Sequence, residues 1–539
     1  MRRVALKISG PAGAGIIQAG ETLSKALNRL GFFTLVYPEY PSRIRGGDNN
    51  VQVVFSSERF LSPQKKINLL LAFGKSNFAD HKEELIFGGL GFESSDLEFD
   101  QMAKELGSPL VLNTVGLGFL WAVLGFNFEF LVEQIKEDFG DKKAILDLNI
   151  GAAEIGYGKA QAKGFNLNIG IKSQKKKILN LTGNEALTKG ILSAQCNFAA
   201  IYPMTPINEI LRLLAKSEIK VFRPEDEIAG IMSAIGASYA GKRAMVATSG
   251  GGFSLMVEGL GLSGMAEIPL VVFLGQRTGP STGMATYTSQ ADLDFVIKAG
   301  HGEFPRIVLA PGDLEESYCL GMEAFNLADK YQVPVILMTD KYLAESRFSI
   351  EEENFNKIRV AIDRGKLFKG VLKNYKRYEF TADGVSPRAF PGQINFITNS
   401  YEHNEYGFSD DDTENRERMM NKRMKKLNKL TGGYKIYGKG KIALVGWGSS
   451  KETLLDFLKE NKDYSLIHVW RPWPFPKELE REIKKFKKVI AVEGNFSGQL
   501  AGLIEKEAGF KIERITKDDG RPFFKEELNE RIKLFRQSV

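Results

Sequence analysis

The chain has 539 residues, of which 43% are hydrophobic and 26% are charged, and its formal net charge is +7. This length suggests three or four domains with sizeable cores, and no apolar run approaches the roughly 20 residues that a membrane span needs. Lysines are spread among glutamates on predicted helical faces, so the charge indicates a solvated surface rather than a nucleic-acid groove. We expect a cytoplasmic protein that binds neither membrane nor nucleic acid.

Cysteine is scarce: the chain has two, Cys196 and Cys319. This usage fits a reducing compartment. Two thiols cannot supply the four thiolates that ligate an iron–sulfur cluster, and the four histidines show no metal-ligand spacing. The sequence therefore predicts no metal site on this chain.

A strand-like segment at 3–10 leads into GPAGAG at 10–15 and then into a helical stretch at 16–30. A glycine loop between a strand and a helix can cradle a phosphate, but the spacing is GxxGxG rather than GxGxxG. A plain tight turn is favoured, and nucleotide binding stays open. Further strands are predicted at 34–37, 51–55, 67–72, 110–113 and 144–148. Strands that alternate with helices predict a doubly wound parallel sheet.

Two polar stretches interrupt this pattern. RIRGGDNN at 43–50 could bind an anion, but a loop that faces a partner is favoured. The stretch at 165–185 contains KSQKKK and resembles a linker. We therefore expect a domain boundary there.

Three short apolar strands follow, at 244–247, 270–274 and 306–309, and a fourth is predicted at 334–340. The first three are each followed by Gly, Pro, Ser or Thr, which is typical of parallel strands whose carboxyl ends carry loops. In open α/β sheets those ends hold the ligand. The candidate site residues near them are Thr205, Glu227, Ser249, Arg277, Ser281 and Thr282.

The loop YPMTP at 202–206 holds Thr205 in an extended conformation, because the residue before a proline avoids the α region. Its hydroxyl could face a ligand, or it could cap a helix that starts at Pro206. The sequence alone favours the two interpretations of Thr205 equally.

Glu227 lies in the first turn of a helix predicted from about 225 to 240, where the helix dipole favours an anion. Ile228, Met232 and Ile235 mark the predicted apolar face of that helix. The spacing does not distinguish Glu227 from its acidic neighbours, so an ordinary surface acid is favoured at this point.

SGGG at 249–252 follows a strand and precedes a predicted helix, so its backbone could approach a diphosphate closely. Arg277 follows the next strand, where a guanidinium can clamp a carboxylate. The alternative is a structural ion pair between Arg277 and Glu303 or Asp292.

Residues 345–432 show few strand signals, and a basic helix is predicted at 416–429. We expect that helix to be a solvated face or a subunit clamp rather than an RNA-binding element. From residue 441 the α/β pattern returns, with strand and loop signals at 442–450, 470–476 and 487–500.

Several of these motifs together resemble the α subunit of 2-oxoacid:ferredoxin oxidoreductases, most closely the 2-oxoglutarate type with a fused γ domain. YPMTP is similar to that family's YPITP, and TSGGGFSLMVEGL at 248–260 is similar to its TSGPGFSLMxE. GQRTGPSTG at 275–283, followed by QADL at 290–293, matches its RxGPSTG…QxDL run. GPAGAGIIQAG and IRGG resemble the γ module.

The chain departs from the family pattern at two places. Gly251 stands where the family has a proline, and Met284 and Ala285 precede Thr286 where the family has an apolar residue and a proline. Both departures leave the substrate open among 2-oxoglutarate, pyruvate and branched-chain acids.

The resemblance implies a thiamine diphosphate enzyme that oxidatively decarboxylates a 2-oxoacid with coenzyme A, 2-oxoglutarate to succinyl-CoA being favoured. Glu227, nine residues before Gly236, would be the catalytic acid that activates the aminopyrimidine. The implied substrate-binding residues are Thr205, Arg277, Ser281 and Thr282. The implied cofactor-binding residues are Glu227, Pro206, Ser249 and Gly250.

The same resemblance implies an α/β fold of several doubly wound domains. The expected order is a γ-type domain at 1–170, a linker at 171–183, a pyrimidine-binding-type domain at 184–345, a connector at 346–433 and a transketolase C-terminal-like domain at 434–539. The last is expected to serve dimerisation.

The implied partners are a β subunit and ferredoxin, in a heterodimer of dimers. We find no GDG followed by an Asn-rich segment, so Mg²⁺, the diphosphate site and the iron–sulfur cluster are expected on the β subunit. Two alternatives from other classes remain: a nucleotide-binding regulatory protein built on GPAGAG, and a structural subunit with an inactive site.

Overall fold

The structure is a computed structural model that describes residues 3–42, 46–59, 62–140, 143–167, 169, 176–369 and 374–537. Within these residues no helix is both long and apolar enough to cross a lipid bilayer. Arg43 and Arg45 of the predicted loop at 43–50, and most of KSQKKK at 172–177, lie outside the described residues.

The strands of the described residues are β1 Val4–Pro11, β2 Phe33–Glu39, β3 Asp48–Ser56, β4 Ile67–Ala72, β5 Leu85–Glu93, β6 Ile178–Thr182, β7 Phe198–Ile201, β8 Lys220–Phe222, β9 Ala244–Ser249, β10 Leu270–Gln276, β11 Ile307–Leu309, β12 Pro334–Asp340, β13 Arg347–Glu351, β14 Tyr434–Tyr437, β15 Ile442–Trp447, β16 Tyr464–Val469, β17 Lys488–Glu493 and β18 Glu513–Thr516.

The α-helices are α1 Ile16–Arg29, α2 Lys75–His81, α3 Phe99–Glu105, α4 Leu112–Val123, α5 Phe128–Phe139, α6 Lys143–Ala162, α7 Gly183–Ser193, α8 Asn208–Leu214, α9 Glu227–Tyr239, α10 Gly250–Phe253, α11 Val257–Met265, α12 Leu293–Lys298, α13 Leu314–Tyr331, α14 Lys341–Glu345, α15 Glu352–Asn356, α16 Thr413–Lys425, α17 Ser450–Glu460, α18 Lys477–Ile483, α19 Gln499–Ala508 and α20 Lys525–Gln537. Short 3₁₀ turns lie at Lys82–Glu84, Pro109–Val111 and Ser254–Met256.

The chain divides into two compact units. The first comprises Met1–Thr182, Glu345–Lys357 and Phe523–Val539, and the second comprises Gly183–Ala344 and Ile358–Pro522. The α/β class predicted from the sequence is confirmed, since both units build helices around sheets. The limits of the five segments predicted above stay a prediction.

The first unit holds a seven-stranded sheet in the order β5-β4-β1-β3-β2-β13-β6. Its pairing is mixed: β1, β4 and β5 are parallel, whereas β3 pairs antiparallel with both β1 and β2. The stretch between β2 and β3 is too short for the crossover of a dozen or more residues that parallel pairing requires. The expectation of a parallel sheet therefore holds only for one side of this unit.

Two predicted strands of the first unit are wrong. Residues 110–113 run from a 3₁₀ turn into α4, and residues 144–148 lie in α6. A short apolar run cannot be assigned to a strand or a helix by its periodicity. The two helices cross closely, since a Cβ on Gly118 or Gly156 would lie 1.9 Å from a backbone oxygen of the other helix.

The glycine loop at 10–15 has the predicted order of strand, loop and helix. Gly15 adopts φ 71° at the start of α1, and Asn113 Nδ2 donates to its carbonyl at 3.2 Å. A Cβ on Gly15 would lie 2.3 Å from that nitrogen. The Asn113 side chain thus covers one side of the loop, and the role of the loop stays a prediction.

The second unit contains a six-stranded parallel sheet in the order β11-β12-β10-β9-β7-β8, which we call the central sheet. Every residue of β9, β10, β11 and β12 is buried, because helices cover both faces. The chain runs from β7 outward to β8 and then returns to β9 on the other side of β7. This reversal creates a crevice between the carboxyl ends of β7 and β9.

A five-stranded sheet of the same unit has the order β14-β16-β15-β17-β18, with a similar reversal between β15 and β17. Gln290 fills the crevice at that reversal. Its Nε2 donates to Trp447 O at 2.8 Å, its Oε1 accepts from Gly494 N at 2.9 Å, and its backbone N donates to Gly494 O at 2.7 Å. One hydrophobic core extends from the central sheet to this second sheet.

The irregular stretches at 358–369 and 374–412 and helix α16 are attached to the rest of the second unit by buried charges. Lys422 Nζ and Lys426 Nζ each lie 2.6 Å from a carboxylate oxygen of Glu267, and all three side chains are fully buried. Arg423 Nη2 lies 2.7 Å from Glu402 Oε2. The expectation of a solvated basic face is therefore wrong for three of the basic residues of this segment.

We predict that Glu267→Gln destabilises the second unit by about 3–5 kcal/mol, because it leaves two buried ammonium groups without their counter-ion. The measurement is the urea-unfolding midpoint. Glu480→Gln is the control, since Glu480 forms an exposed pair with Lys484 at 2.5 Å and its loss should leave the midpoint unchanged. Equal midpoints for the two variants would contradict the structural role of Glu267.

Candidate functional site

The candidate site lies at the crevice between the carboxyl ends of β7 and β9. The loop at 202–207 follows β7, and α10 begins directly after β9. The Ser249 hydroxyl donates to the Met204 sulfur and so connects the two sides. The structure confirms the expectation that the candidate motifs follow parallel strands that share one edge.

Thr205 lies half-buried in the loop after β7, and its peptide bond to Pro206 is cis. The Thr205 carbonyl accepts from Arg277 Nη1 at 3.2 Å, and the Pro206 carbonyl accepts from Asn184 Nδ2 at 2.9 Å. Helix α8 begins only at Asn208, without a side-chain cap. The interpretation of Thr205 as a helix cap is therefore wrong.

Glu227 is the first residue of α9, and the preceding Asp226 caps the helix by accepting from Ala229 N at 2.8 Å. The Glu227 side chain is only 4% exposed, and its Oε1 has no hydrogen-bond partner within the described part of the chain. The interpretation of Glu227 as an ordinary surface acid is wrong. A buried carboxylate oxygen without a partner is costly and rare in proteins, so this atom is available to a donor that is not part of the chain.

The buried position of Glu227 also explains a wrong prediction for the same helix. Ile228 and Met232 were expected on the buried face, but they are 50% and 41% exposed. The prediction is confirmed for Ile235, which is buried in the core together with Ile231 and Ala234. The helix is therefore rotated so that Glu227 and Ile231, four residues apart, both face inward.

Gly252 gives the Glu227 carboxylate its space. A Cβ at this position would lie 2.1 Å from Thr248 Oγ1 and 2.3 Å from Glu227 Oε1. Gly251 differs, since a Cβ there would meet nothing within 4 Å. Gly252 thus requires glycine because of the Glu227 carboxylate, whereas Gly251 does not.

Arg277 follows β10 at the same edge of the sheet, and Asp292 is its acidic neighbour. Burial raises the pKa of Asp292 to about 6, and the positive charge of Arg277 opposes this rise. Burial also lowers the pKa of Arg277. Among the ion pairs of the described residues, none joins Arg277 to Asp292 or Glu303, so Arg277 can still clamp an anion.

Ser281 and Thr282 lie in an exposed turn between Thr278 and Met284. Met284 N donates to Thr278 O at 3.0 Å, and Ser281 and Gly283 adopt φ values of 55° and 50°. Within the described contacts, the structure pairs Thr205 with Arg277 and Ser249 with Met204. It does not join the Ser281 or Thr282 side chain to any of these.

Sequence reasoning identified Asp292 only as a member of the QADL run and as a possible ion-pair partner. In the structure its carboxylate also lies against the start of α10, since a Cβ on Gly250 would be 2.7 Å from Asp292 Oδ2. Asp292 directly precedes α12, and this position could have drawn attention to it. That helix is not predicted from the sequence, so the signal was missed. The described residues contain no group of three or more side chains that could hold a metal ion.

Comparison with known proteins identifies the family. The family model described as "Pyruvate flavodoxin/ferredoxin oxidoreductase, thiamine diP-bdg" matches residues 189–422, and "Pyruvate ferredoxin/flavodoxin oxidoreductase" matches residues 5–159. The chain is 34% identical to a 2-oxoacid:ferredoxin oxidoreductase subunit alpha from Sulfolobus sp, over 98% of this chain and 96% of the relative. The chain belongs to the α subunits of the 2-oxoacid:ferredoxin oxidoreductases.

Other relatives of this α subunit carry a more specific name. This α subunit is 34% identical to the 2-oxoglutarate synthase subunit KorA of Methanocaldococcus jannaschii, over 63% of this chain and 92% of the relative. A solved 2-oxoglutarate:ferredoxin oxidoreductase from Magnetococcus marinus, with 2-oxoglutarate, coenzyme A and succinyl-CoA bound, superposes with a TM-score of 0.91. That match has 31% identity and covers 99% of both chains. The expected family and fold class are confirmed.

We predict that Gly252→Ala destabilises this α subunit by about 1–3 kcal/mol, because the added methyl group overlaps Thr248 and Glu227. Gly251→Ala is the matched control in the same helix, and it should leave the unfolding midpoint unchanged or raise it slightly. Urea unfolding of both variants measures the difference. A Gly252→Ala variant as stable as wild type would show that the Glu227 carboxylate can move aside.

Proposed function

We propose that this α subunit acts with a partner β subunit in the coenzyme A-dependent oxidative decarboxylation of a 2-oxoacid, with 2-oxoglutarate as the preferred substrate. The observation that carries the proposal is the buried Glu227 Oε1, which has no described partner and faces Gly252 at the crevice of the central sheet. The 2-oxoglutarate, coenzyme A and succinyl-CoA bound to the Magnetococcus marinus enzyme support the choice of substrate and product.

The residues at the crevice fit an aminopyrimidine-containing cofactor. Thiamine diphosphate, when bound, supplies a carbon nucleophile and an electron sink for decarboxylation. Glu227 Oε1 would accept a hydrogen bond from a ring N–H of that group and hold the proton during the exchange between cofactor tautomers. Pro206, Ser249 and Gly250 would form the wall against which the ring lies.

Arg277 and Thr205 are our proposed substrate residues. A guanidinium binds a carboxylate through two parallel hydrogen bonds, and the bond from Arg277 to the Thr205 carbonyl sets the orientation of the arginine. The Thr205 hydroxyl would then orient the oxoacid, whose carbonyl carbon must face the crevice. Ser281 and Thr282 would donate hydroxyls from the exposed turn.

The electrons have to leave this chain. Oxidation of a 2-oxoacid to carbon dioxide and an acyl-CoA releases two electrons, and ferredoxin takes one at a time. Cys196 and Cys319 are free cysteines and too few to hold a cluster of their own. We therefore assign the iron–sulfur cluster, Mg²⁺ and the diphosphate site to the β subunit, and we propose a heterodimer of dimers in the cytoplasm.

We predict that Glu227→Gln lowers kcat at least 100-fold, because the amide cannot hold the proton that the carboxylate holds. The measurement is viologen reduction by the copurified α and β subunits, with coenzyme A, thiamine diphosphate and a panel of 2-oxoglutarate, pyruvate and 2-oxoisovalerate. Glu225→Gln removes an exposed acid two residues earlier and should leave kcat unchanged. Full activity of Glu227→Gln would overturn the proposal. A preference for pyruvate would reject only the choice of 2-oxoglutarate as the preferred substrate.

We predict that KM for 2-oxoglutarate rises several-fold as the pH increases through about 6, the value to which burial raises the pKa of Asp292. Below that pH the carboxyl is neutral, and Arg277 is free to bind substrate. Above it, the carboxylate competes for Arg277 and repels the anionic substrate. Asp292→Asn should flatten this profile, whereas Asp294→Asn should not. An unchanged slope in Asp292→Asn would show that another group titrates.

A further inference from the structure

The second unit has a large cavity on the opposite edge of the central sheet from the candidate site. Helix α13 ends at Tyr331, just before β12 begins at Pro334, so Lys330 and Tyr331 lie at the amino edge of the parallel strands. A cavity of about 610 Å³ opens there, between the end of α13, the connector near Lys366 and the end of α16 near Lys425. Pockets that bind small molecules have volumes in the range of ~300–1,000 Å³.

The cavity is strongly basic. Its lysines are Lys330, Lys366, Lys425, Lys426 and Lys429, and they face two aspartates, Asp363 and Asp383. Lys366 Nζ donates to Asp383 at 2.7 Å, and Lys330 Nζ lies 3.8 Å from Asp363 Oδ2. Among the ion pairs of the described residues, none includes Lys425 or Lys429. The lining therefore carries an excess of positive charge that the cavity itself does not neutralise.

A second observation comes from the buried side of the cavity wall. Lys426 reaches inward, where its Nζ lies 2.6 Å from Glu267 and donates to Gln332 O at 3.1 Å. Glu267 also pairs with Lys422 at 2.6 Å, and the charge of Arg377 acts on it as well. One buried carboxylate thus forms ion pairs with two lysines and also interacts with the charge of an arginine. Burial and the neighbouring cations lower the pKa of Lys426 to about 7, although Glu267 opposes this shift.

Buried positive charge is unfavourable unless an anion compensates it. The Lys426 side chain lines the cavity while its Nζ is buried against Glu267, so an anion in the cavity would act on this buried cluster through its charge and would contact Lys425 and Lys429 directly. Lys425 and Lys429 are the two lining lysines without a described ion pair, so a single carboxylate would match only one of their charges, whereas a polyphosphate carries three or four negative charges. Lysine binds phosphate as a point charge without needing a fixed geometry. Tyr331 and Val385 add an apolar wall against which a nucleobase could lie.

We propose that this cavity is a binding site for a small polyphosphate anion of the nucleoside triphosphate class, separate from the oxoacid site. Lys425 and Lys429 contact the phosphates, Lys426 closes the inner wall, and Tyr331 lies beside the base. The proposal rests on the cavity and its charges and does not depend on the reaction proposed above.

The test is equilibrium binding of inorganic triphosphate and ATP to the full chain, copurified with its partner subunit, by isothermal titration calorimetry. We expect one site per chain for each probe. The double variant Lys425→Gln and Lys429→Gln should weaken both affinities at least tenfold and leave viologen reduction and the unfolding midpoint unchanged. Succinate, a dianion without phosphate, should not bind at this site.

The matched control removes the same number of charges elsewhere. Lys484 and Lys485 are exposed lysines near the end of α18, each paired with a glutamate, and the double change to Gln should not alter binding. Tighter binding of ATP than of triphosphate would support a base contact at Tyr331, and equal affinities would support recognition of phosphate alone. Absence of binding at millimolar concentrations, or equal weakening by the two double variants, would overturn the proposal.

Discussion

The candidate site depends on the order of strands in the central sheet. Because β8 lies on one side of β7 and β9 on the other, the loops that follow β7 and β9 separate and leave a crevice at the carboxyl edge. The Thr205 loop forms one side of this crevice, and the glycine run beside Glu227 forms the other. The adjacent strand β10 places Arg277 at the same edge, where it bonds to the Thr205 carbonyl. Residues that are distant in sequence meet because parallel strands end together.

The two crevices of the second unit are used differently. At the second sheet, Gln290 fills the crevice and forms hydrogen bonds through its side-chain amide and its backbone. Asn495 Nδ2 donates a further hydrogen bond to Gln290 O at 3.1 Å. At the central sheet, a carboxylate oxygen is buried without a described partner. The first arrangement fixes the two sheets to each other, and the second leaves hydrogen-bonding capacity for a ligand. The same strand topology thus supplies both a structural joint and a candidate site.

Buried charges hold the irregular part of the second unit. Residues 358–412 contain no long helix or strand within the described positions, so their attachment relies on side chains. Asp329 pairs with Arg243 at 3.0 Å and with Arg388 at 2.7 Å, and Glu267 pairs with Lys422 and Lys426. Such pairs strongly penalise the loss of one partner because the other charge stays buried. Lys426 of the Glu267 cluster also lines the basic cavity, so the cluster lies directly behind the cavity wall.

The sequence by itself determined the α/β class, strands β9 to β12 of the central sheet and the family, because apolar runs, turn residues and whole motifs are local features. It also placed Glu227 at a helix start, but it could not separate this acid from Glu225. Nor could it determine that Leu110 and Ala144 lie at the starts of helical segments. Only the tertiary structure decided which carboxylates are buried: the rotation of α9, Gly252 packed against Glu227, and Asp292 beside Arg277. Burial arises from contacts between segments that are far apart in the chain, and local periodicity does not encode those contacts.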